Sequence, residues 1–206
     1  PERRPSGASE ASDGTIAGVS GSPVEMVFQE IPVFIYDAAD HCTDCSRVTD
    51  TGMAKAPADM PTPMFDVSVS LDGAVLVTDA FREVCDDIDG VVFAPLEGAP
   101  GVSVLVADRI VRVEPFDSHI RTGPTCATCG EPRYVIRVGP LHLQPQDRLQ
   151  PGFSRTDIGF GDTADFGSTQ PVFLRPHVLI DRDTGRSLKA AGLLGIHLIA
   201  QPEPDT

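Results

Sequence analysis

The sequence predicts an α+β fold: a mixed sheet with few helices, arranged as two related strand–helix–strand halves. Three observations lead there. Short apolar runs rich in Val recur along the chain and are separated by Gly, Pro and Asp, the pattern of strands and turns. Only two segments space their apolar residues as a helix does, and each lies between two such runs. The order apolar triplet, helix, Gly, apolar triplet therefore occurs twice, at Val75–Phe93 and Val178–Ile199. Two copies are too few for a solenoid and fit two halves of one domain.

Taken in order, residues 1–24 are rich in Ser, Gly, Pro and Glu without periodicity and read as a disordered tail. Met26–Tyr36 reads as a strand that Pro32 either places at a sheet edge or breaks in two. Residues 54–63, with three prolines, read as a loop. Phe65–Leu71 alternates apolar and polar residues, as a half-buried strand does. Asp72-Gly73 is a turn, and Ala74–Val77 a short strand. Thr78 is a candidate N-cap for a helix from Asp79 to Asp87 that buries Ala80, Phe81, Val84, Cys85 and Ile88, with Gly90 ending it.

Val91–Ala94, Val102–Val106, Ile110–Val113, Tyr134–Val138 and Leu141–Leu143 continue the extended structure. Pro151–Thr169 is rich in Gly and Asp with little apolar pattern and reads as a long loop. Val178–Ile180, a helix through Ser187–Ala191 and Ile196–Ile199 complete the second half. The expectation is a single domain over 25–200, with halves near 25–113 and 114–200 and a tail at 201–206.

Aromatic residues are sparse and Trp is absent, so the core rests on Val, Leu and Ile. Lys plus Arg number 16 against 30 Asp plus Glu, a formal net charge of −14. A chain of this sign repels phosphate backbones, which argues against general nucleic-acid binding. The same charge would steer a basic partner toward it. No apolar run has the length of a membrane span, and no apolar signal segment follows the first residues, so the expected compartment is the cytoplasm.

Four of the five cysteines form two Cys-x-x-Cys pairs, Cys42-Thr-Asp-Cys45 and Cys126-Ala-Thr-Cys129. Each pair presents two thiolates from one tight turn, and two pairs supply the tetrahedral sulfur set that Zn²⁺ prefers. Gly130, directly after the second pair, gives the backbone the freedom such knuckles use. The competing readings are disulfides and redox motifs. A redox Cys-x-x-Cys opens a helix after a strand, whereas Pro124 and Gly130 point to a turn, and disulfides are unexpected in a cytoplasmic chain. The pairs lie roughly 80 residues apart, far beyond the zinc-ribbon spacing of about 15–20. A Zn²⁺ on Cys42, Cys45, Cys126 and Cys129 would thus join distant parts of the chain, and four thiolates leave it no open position for substrate. Cys85 falls on the apolar side of its helix and reads as core. His41, beside the first pair, could replace a ligand, although four cysteines suffice.

The five histidines are scattered, and no nucleophile elbow, Walker loop or H-E-x-x-H motif is present. Asp157, Asp162 and Asp165 lack the spacing of a calcium loop and read as a solvated acidic stretch. No catalytic residue is assigned.

The paired Cys-x-x-Cys motifs, with Gly130 and Pro132 after the second and the ending Val178-Leu-Ile180 to Gly195-Ile-His-Leu198, resemble the double-CxxCG motif family of myxobacterial-type proteins. Val75–Val84 leading to Gly90-Val-Val-Phe93 looks similar to a unit of the same immunity domains. Ser46 stands where the first motif of the family has Gly. The resemblance covers roughly residues 26–200. It implies a non-enzymatic, cytoplasmic immunity protein that binds and neutralises a cognate protein toxin of a polymorphic or outer-membrane-exchange system. With the charge, it points to a basic toxin and to Asp86, Asp87, Asp89, Asp157, Asp162 and Asp165 as contributors to the partner-binding surface. The alternative class is a zinc-stabilised regulatory or small-ligand-binding module with the Pro151–Thr169 loop as its lid.

Overall fold

β-Branched residues fit a pleated, half-buried surface, and the Val-rich runs form the strands. The computed structural model describes residues 23–36, 42–45, 54–60, 64–114, 119–144, 147, 149–161 and 174–201. Within them β1 (Val24–Glu30), β2 (Val67–Val69), β3 (Val75–Thr78), β4 (Val91–Pro95), β5 (Val102–Ala107), β6 (Ile110–Val111), β9 (Phe153–Phe160), β10 (Arg175–Ile180) and β11 (Ile196–Ala200) build one mixed, nine-stranded sheet. Two helices accompany it, α1 (Asp79–Cys85) and α2 (Arg182–Ala190), and β7 (Ile120–Thr122) with β8 (Val135–Arg137) forms a separate hairpin. The protein is a mixed α+β structure. None of its described helices is long and apolar enough to cross a membrane.

β1 is the seam of the sheet. Val24–Met26 pair antiparallel with β10, Val24–Phe28 pair antiparallel with β11, and Gln29 and Glu30 pair in parallel with β2. The rest follows in the order β4-β5-β3-β2-β1-β10-β9-β6. Both strand–helix–strand segments open to admit an antiparallel strand: β5 lies between β3 and β4, and β1 lies between β10 and β11. Strands from before and after residue 113 are therefore neighbours in one sheet: β1 lies between β10 and β11, and β6 pairs with β9. Pro32 falls just beyond the end of β1, breaking the expected strand, and what precedes it is central and not an edge.

Alternation along each strand divides its side chains between two faces. Val75 and Val77 of β3 join Val178 and Ile180 of β10 in a core that also takes Phe81 and Cys85 of α1 and Leu188 of α2. Leu76 points the other way, into a second cluster with Ile35, Val102 and Val104. Leu179 does the same in β10, joining Val113, Val135, Leu141 and Phe160.

The first helix is shorter than expected and ends at Cys85. Ala80 is exposed, Phe81 and Cys85 are fully buried, and Val84 and Ile88 are half-buried. Thr78 occupies the N-cap position without capping: its hydroxyl donates to Asp66 Oδ1 at 3.1 Å. The second helix is capped by Asp181, whose Oδ1 accepts from the backbone N–H groups of Asp183 and Thr184 at 2.9 and 3.1 Å.

The larger correction concerns Pro151–Thr169. Residues 153–160 are the eight-residue strand β9, inserted between β10 and β6, with Phe153, Ser154, Thr156 and Phe160 buried. Its polar interior positions hide the apolar pattern by which a strand is recognised. Residues 162–169 lie outside the described set.

β1 also buries a charge. Glu25 is 1% exposed, and its carboxylate meets Arg137 Nη2 of β8 at 2.9 Å, His177 Nδ1 of β10 and the Gln201 side-chain amide, which donates at 2.7 Å. Burial pushes its pKa up, but the His177 hydrogen bond and charge and the Arg137 guanidinium outweigh this and hold it below the ordinary 4.5. A depressed carboxyl pKa stabilises the fold above its unfolded value. We expect unfolding free energy to decline as pH falls below about 4.5 through the depressed value, and Glu25→Gln to flatten that decline in urea titrations.

Gly90 has φ +80° and sits against the start of β9; a Cβ there would lie 2.2 Å from the Phe153 carbonyl oxygen. Both the left-handed backbone and the close approach penalise any side chain. Gly90→Ala should therefore cost at least ~2 kcal/mol, read as a lower urea midpoint at constant slope.

Candidate metal centre

The second cysteine pair sits at the tip of the β7–β8 hairpin. The ladder of that hairpin continues past its strands: Gly123 N–H donates to Tyr134 O at 2.8 Å, Arg133 N–H to Pro124 O at 2.9 Å, and Thr125 bridges Pro132. Cys126 N–H then donates to Glu131 O at 2.8 Å, and Gly130 N–H to Cys126 O at 3.0 Å, closing a knuckle. Gly130 supplies the left-handed residue of this turn, with φ +78°. The first pair occupies a tight turn at residues 43–45. In each turn the sulfur of the leading cysteine accepts backbone N–H groups from two and three residues on. These come from Asp44 and Cys45 for Cys42, and from Thr128 and Cys129 for Cys126.

The fold brings the two turns together. Cys42 Sγ lies 3.8 Å from Cys126 Sγ and Cys45 Sγ 3.6 Å from Cys129 Sγ, across 84 residues of chain. All four sulfurs lie within 4.8 Å of one another, and none is in a disulfide. A tetrahedron with metal–sulfur bonds of ~2.3 Å has edges of about 3.8 Å, so the spacing suits one tetrahedral ion and is far too long for S–S bonds of ~2.05 Å. Cys42 and Cys126 are buried, whereas Cys45 and Cys129 are half-buried. The four cysteines can hold a metal ion.

The electrostatics favour thiolate at Cys42, whose pKa falls to about 7 because the Asp44 and Cys45 amides donate to its sulfur. Asp44 makes the connection between the turns that the sequence alone did not reveal. Its carboxylate accepts from Arg133 Nη2 at 2.8 Å and from the Cys126 thiol at 3.3 Å, tying the first turn to the stem of the second. The Cys126 thiol and Arg133 together hold the Asp44 pKa below the usual carboxylate range. The signal was present as an Asp inside one knuckle and an Arg four residues after the other, but only the fold pairs them. At its other end the hairpin is held by the Arg137–Glu25 ion pair, by Gly161 N–H donating to Val135 O at 2.9 Å, and by Val135 in the core.

Cys85 is a core residue as expected, and burial pushes its thiol up to about 12. His41 and Ser46 lie outside the described residues. Of the acidic positions, Asp86, Asp87 and Asp89 are exposed together on the turn after α1. Asp108 joins them, its N–H donating to Gly90 O at 3.1 Å. Asp157 is also exposed but lies on β9, where its carboxylate accepts from Val113 N–H at 2.9 Å. Asp162 and Asp165 lie outside the described residues.

Comparison with protein-family models, with curated proteins and with solved structures gives no match to this chain.

Cys126→Ser should reduce bound metal to near none and lower the melting temperature. Asp44→Asn should keep the metal but weaken its affinity about 10-fold, the scale of a lost ligand-orienting contact. Competition with a chromophoric chelator separates the two outcomes.

Proposed function

We propose that this chain is a non-enzymatic immunity protein that binds and neutralises a cognate, basic protein toxin in the cytoplasm, with one structural Zn²⁺ on Cys42, Cys45, Cys126 and Cys129. The observation that carries the reading is the closed set of four sulfurs at the tip of a hairpin. Zn²⁺ is the common ion for such a set, and with four thiolate ligands it has no position left for water or substrate. Its work is then to fasten the hairpin to the chain near residue 42. Closing a loop of this length in the unfolded chain is worth roughly 4–5 kcal/mol by the chain-entropy estimate for a covalent link.

The partner reading draws on charge. Asp86, Asp87 and Asp89 with Asp108 make an acidic face around the end of α1, where Arg109 is paired to Asp89 at 3.5 Å. Asp157, Asp162 and Asp165 would extend the acidic surface. Such a face accelerates encounter with a basic protein. The resemblance to the double-CxxCG family supplies the class of partner. The two split strand–helix–strand units, each enclosing an antiparallel strand, support reading them as one repeated unit.

Metal analysis should give near one zinc per chain, with loss of folding on chelation. Co-expression should protect cells from the toxin encoded beside this chain. Replacing Asp86, Asp87 and Asp89 together by Lys should slow association with that toxin about 10-fold or more while changing dissociation little. Unchanged protection and an unchanged on-rate in that variant would sink the acidic-face reading.

A further inference from the structure

A cavity of about 300 Å³ lies away from the thiol cluster, between the start of β3 and end of β5 on one side and β9 and β10 on the other. Val106 and Val178 contribute apolar wall, and its polar groups are Tyr36, Asp72, Arg155 and Arg175. The volume is at the lower end of the range for small-molecule sites.

The polar groups are unequally committed. Asp72 is spent within the fold: its carboxylate accepts the N–H groups of Ile35 and Tyr36 and the Ser70 hydroxyl. Arg155 donates from Nε to Ala107 O at 3.1 Å, a bond that fixes the guanidinium plane and does not use the two terminal nitrogens. Arg175 is half-buried, and among the described residues no hydrogen bond or ion pair ends on its guanidinium. The charges of Glu30 and Glu25 act on it, but burial still pushes its pKa down, so the environment does not fully compensate the cation. A guanidinium withdrawn from water without an acceptor is costly, and its planar fork matches carboxylate or phosphate. Six arginines among the described residues are paired to a carboxylate, as Arg112 is to Asp147 through two 2.9 Å bonds. Two arginines lining one cavity beside a tyrosine depart from that pattern.

We infer that this cavity binds a small organic anion carrying a carboxylate or phosphate group, gripped by the guanidiniums of Arg155 and Arg175, with the Tyr36 hydroxyl as a further donor. The site stands apart from the toxin-binding reading and does not depend on it.

The test uses the metal-loaded full chain, titrated separately with citrate and with inorganic phosphate against chloride at matched ionic strength. The chain has no Trp and only two Tyr, so tyrosine emission comes from Tyr36 and Tyr134 alone, and amide NMR shifts locate the site. Saturable binding of at least one probe is expected below about 10 mM, with shifts centred on residues 36, 155 and 175. Arg175→Gln and, separately, Arg155→Gln should each weaken binding about 10-fold or more, while Arg121→Gln, on the exposed face of β7, should leave it unchanged. If Arg175→Gln fails to fold, Arg155→Gln alone decides. Absence of saturable binding by both probes, or affinity unaltered in the folded arginine variants, would overturn the inference.

Discussion

A strand offers two edges of hydrogen-bonding groups and two faces of side chains, and β1 has all four engaged. β10 takes one edge, β11 and then β2 take the other, one face enters the main core, and Glu25 on the opposite face is buried as a charge. Among the described residues no other strand pairs with three others. A buried carboxylate is tolerable only when its lone pairs are filled by well-placed donors. Arg137, His177 and Gln201 fill them, and they come from the hairpin, from β10 and from the segment after β11. Satisfying one charge on β1 therefore fixes the position of three later segments.

The hairpin that carries Cys126 and Cys129 depends on this. Its strands have three residues each, too short to persist alone in water. It is held at the base by Arg137 and Val135 against the sheet and at the tip by the cysteine turns, with Asp44 and Arg133 between. The exposed Asp44–Arg133 pair is worth little as an isolated ion pair. Its value is positional, because Asp44 also accepts from Cys126 and so aligns the two turns before a metal closes them. With a metal bound there, its affinity and the stability of the fold would be one quantity seen from two sides.

The legible parts of the fold were those where side-chain chemistry repeats locally. Val75–Val77, Val91–Phe93 and Val102–Val106 announced their strands through β-branched residues, and the Cys-x-x-Cys pairs announced a shared site through spacing within each turn. β9 stayed hidden because a strand inside a sheet can place Ser154, Thr156 and Gly159 where a pattern search expects Val or Ile; its neighbours, and not its own composition, make it extended. Ala80 was assigned to the core because helical spacing fixes a face but not its width, and a seven-residue helix presents only Phe81 and Cys85 fully to the sheet. Glu25 and Arg137 lie 112 residues apart, and no local rule links them.

The distribution of cations separates the two proposed surfaces. Arg82, Arg109, Arg112, Arg133, Arg137 and Arg186 are each paired to a carboxylate within the chain. Those pairs consume positive charge where it serves the fold and leave acidic groups such as Asp86, Asp87 and Asp89 after α1 exposed. Arg155 and Arg175 depart from this economy by lining a cavity. A protein this acidic attracts small anions poorly from a distance, because the long-range field opposes them. A site that binds one must therefore hold its cations at short range, within apolar walls where the local attraction is less screened. That is the setting of Arg155 and Arg175, so the same net charge that favours a basic partner on the outside makes a recessed pair of arginines the workable design for an anionic ligand within.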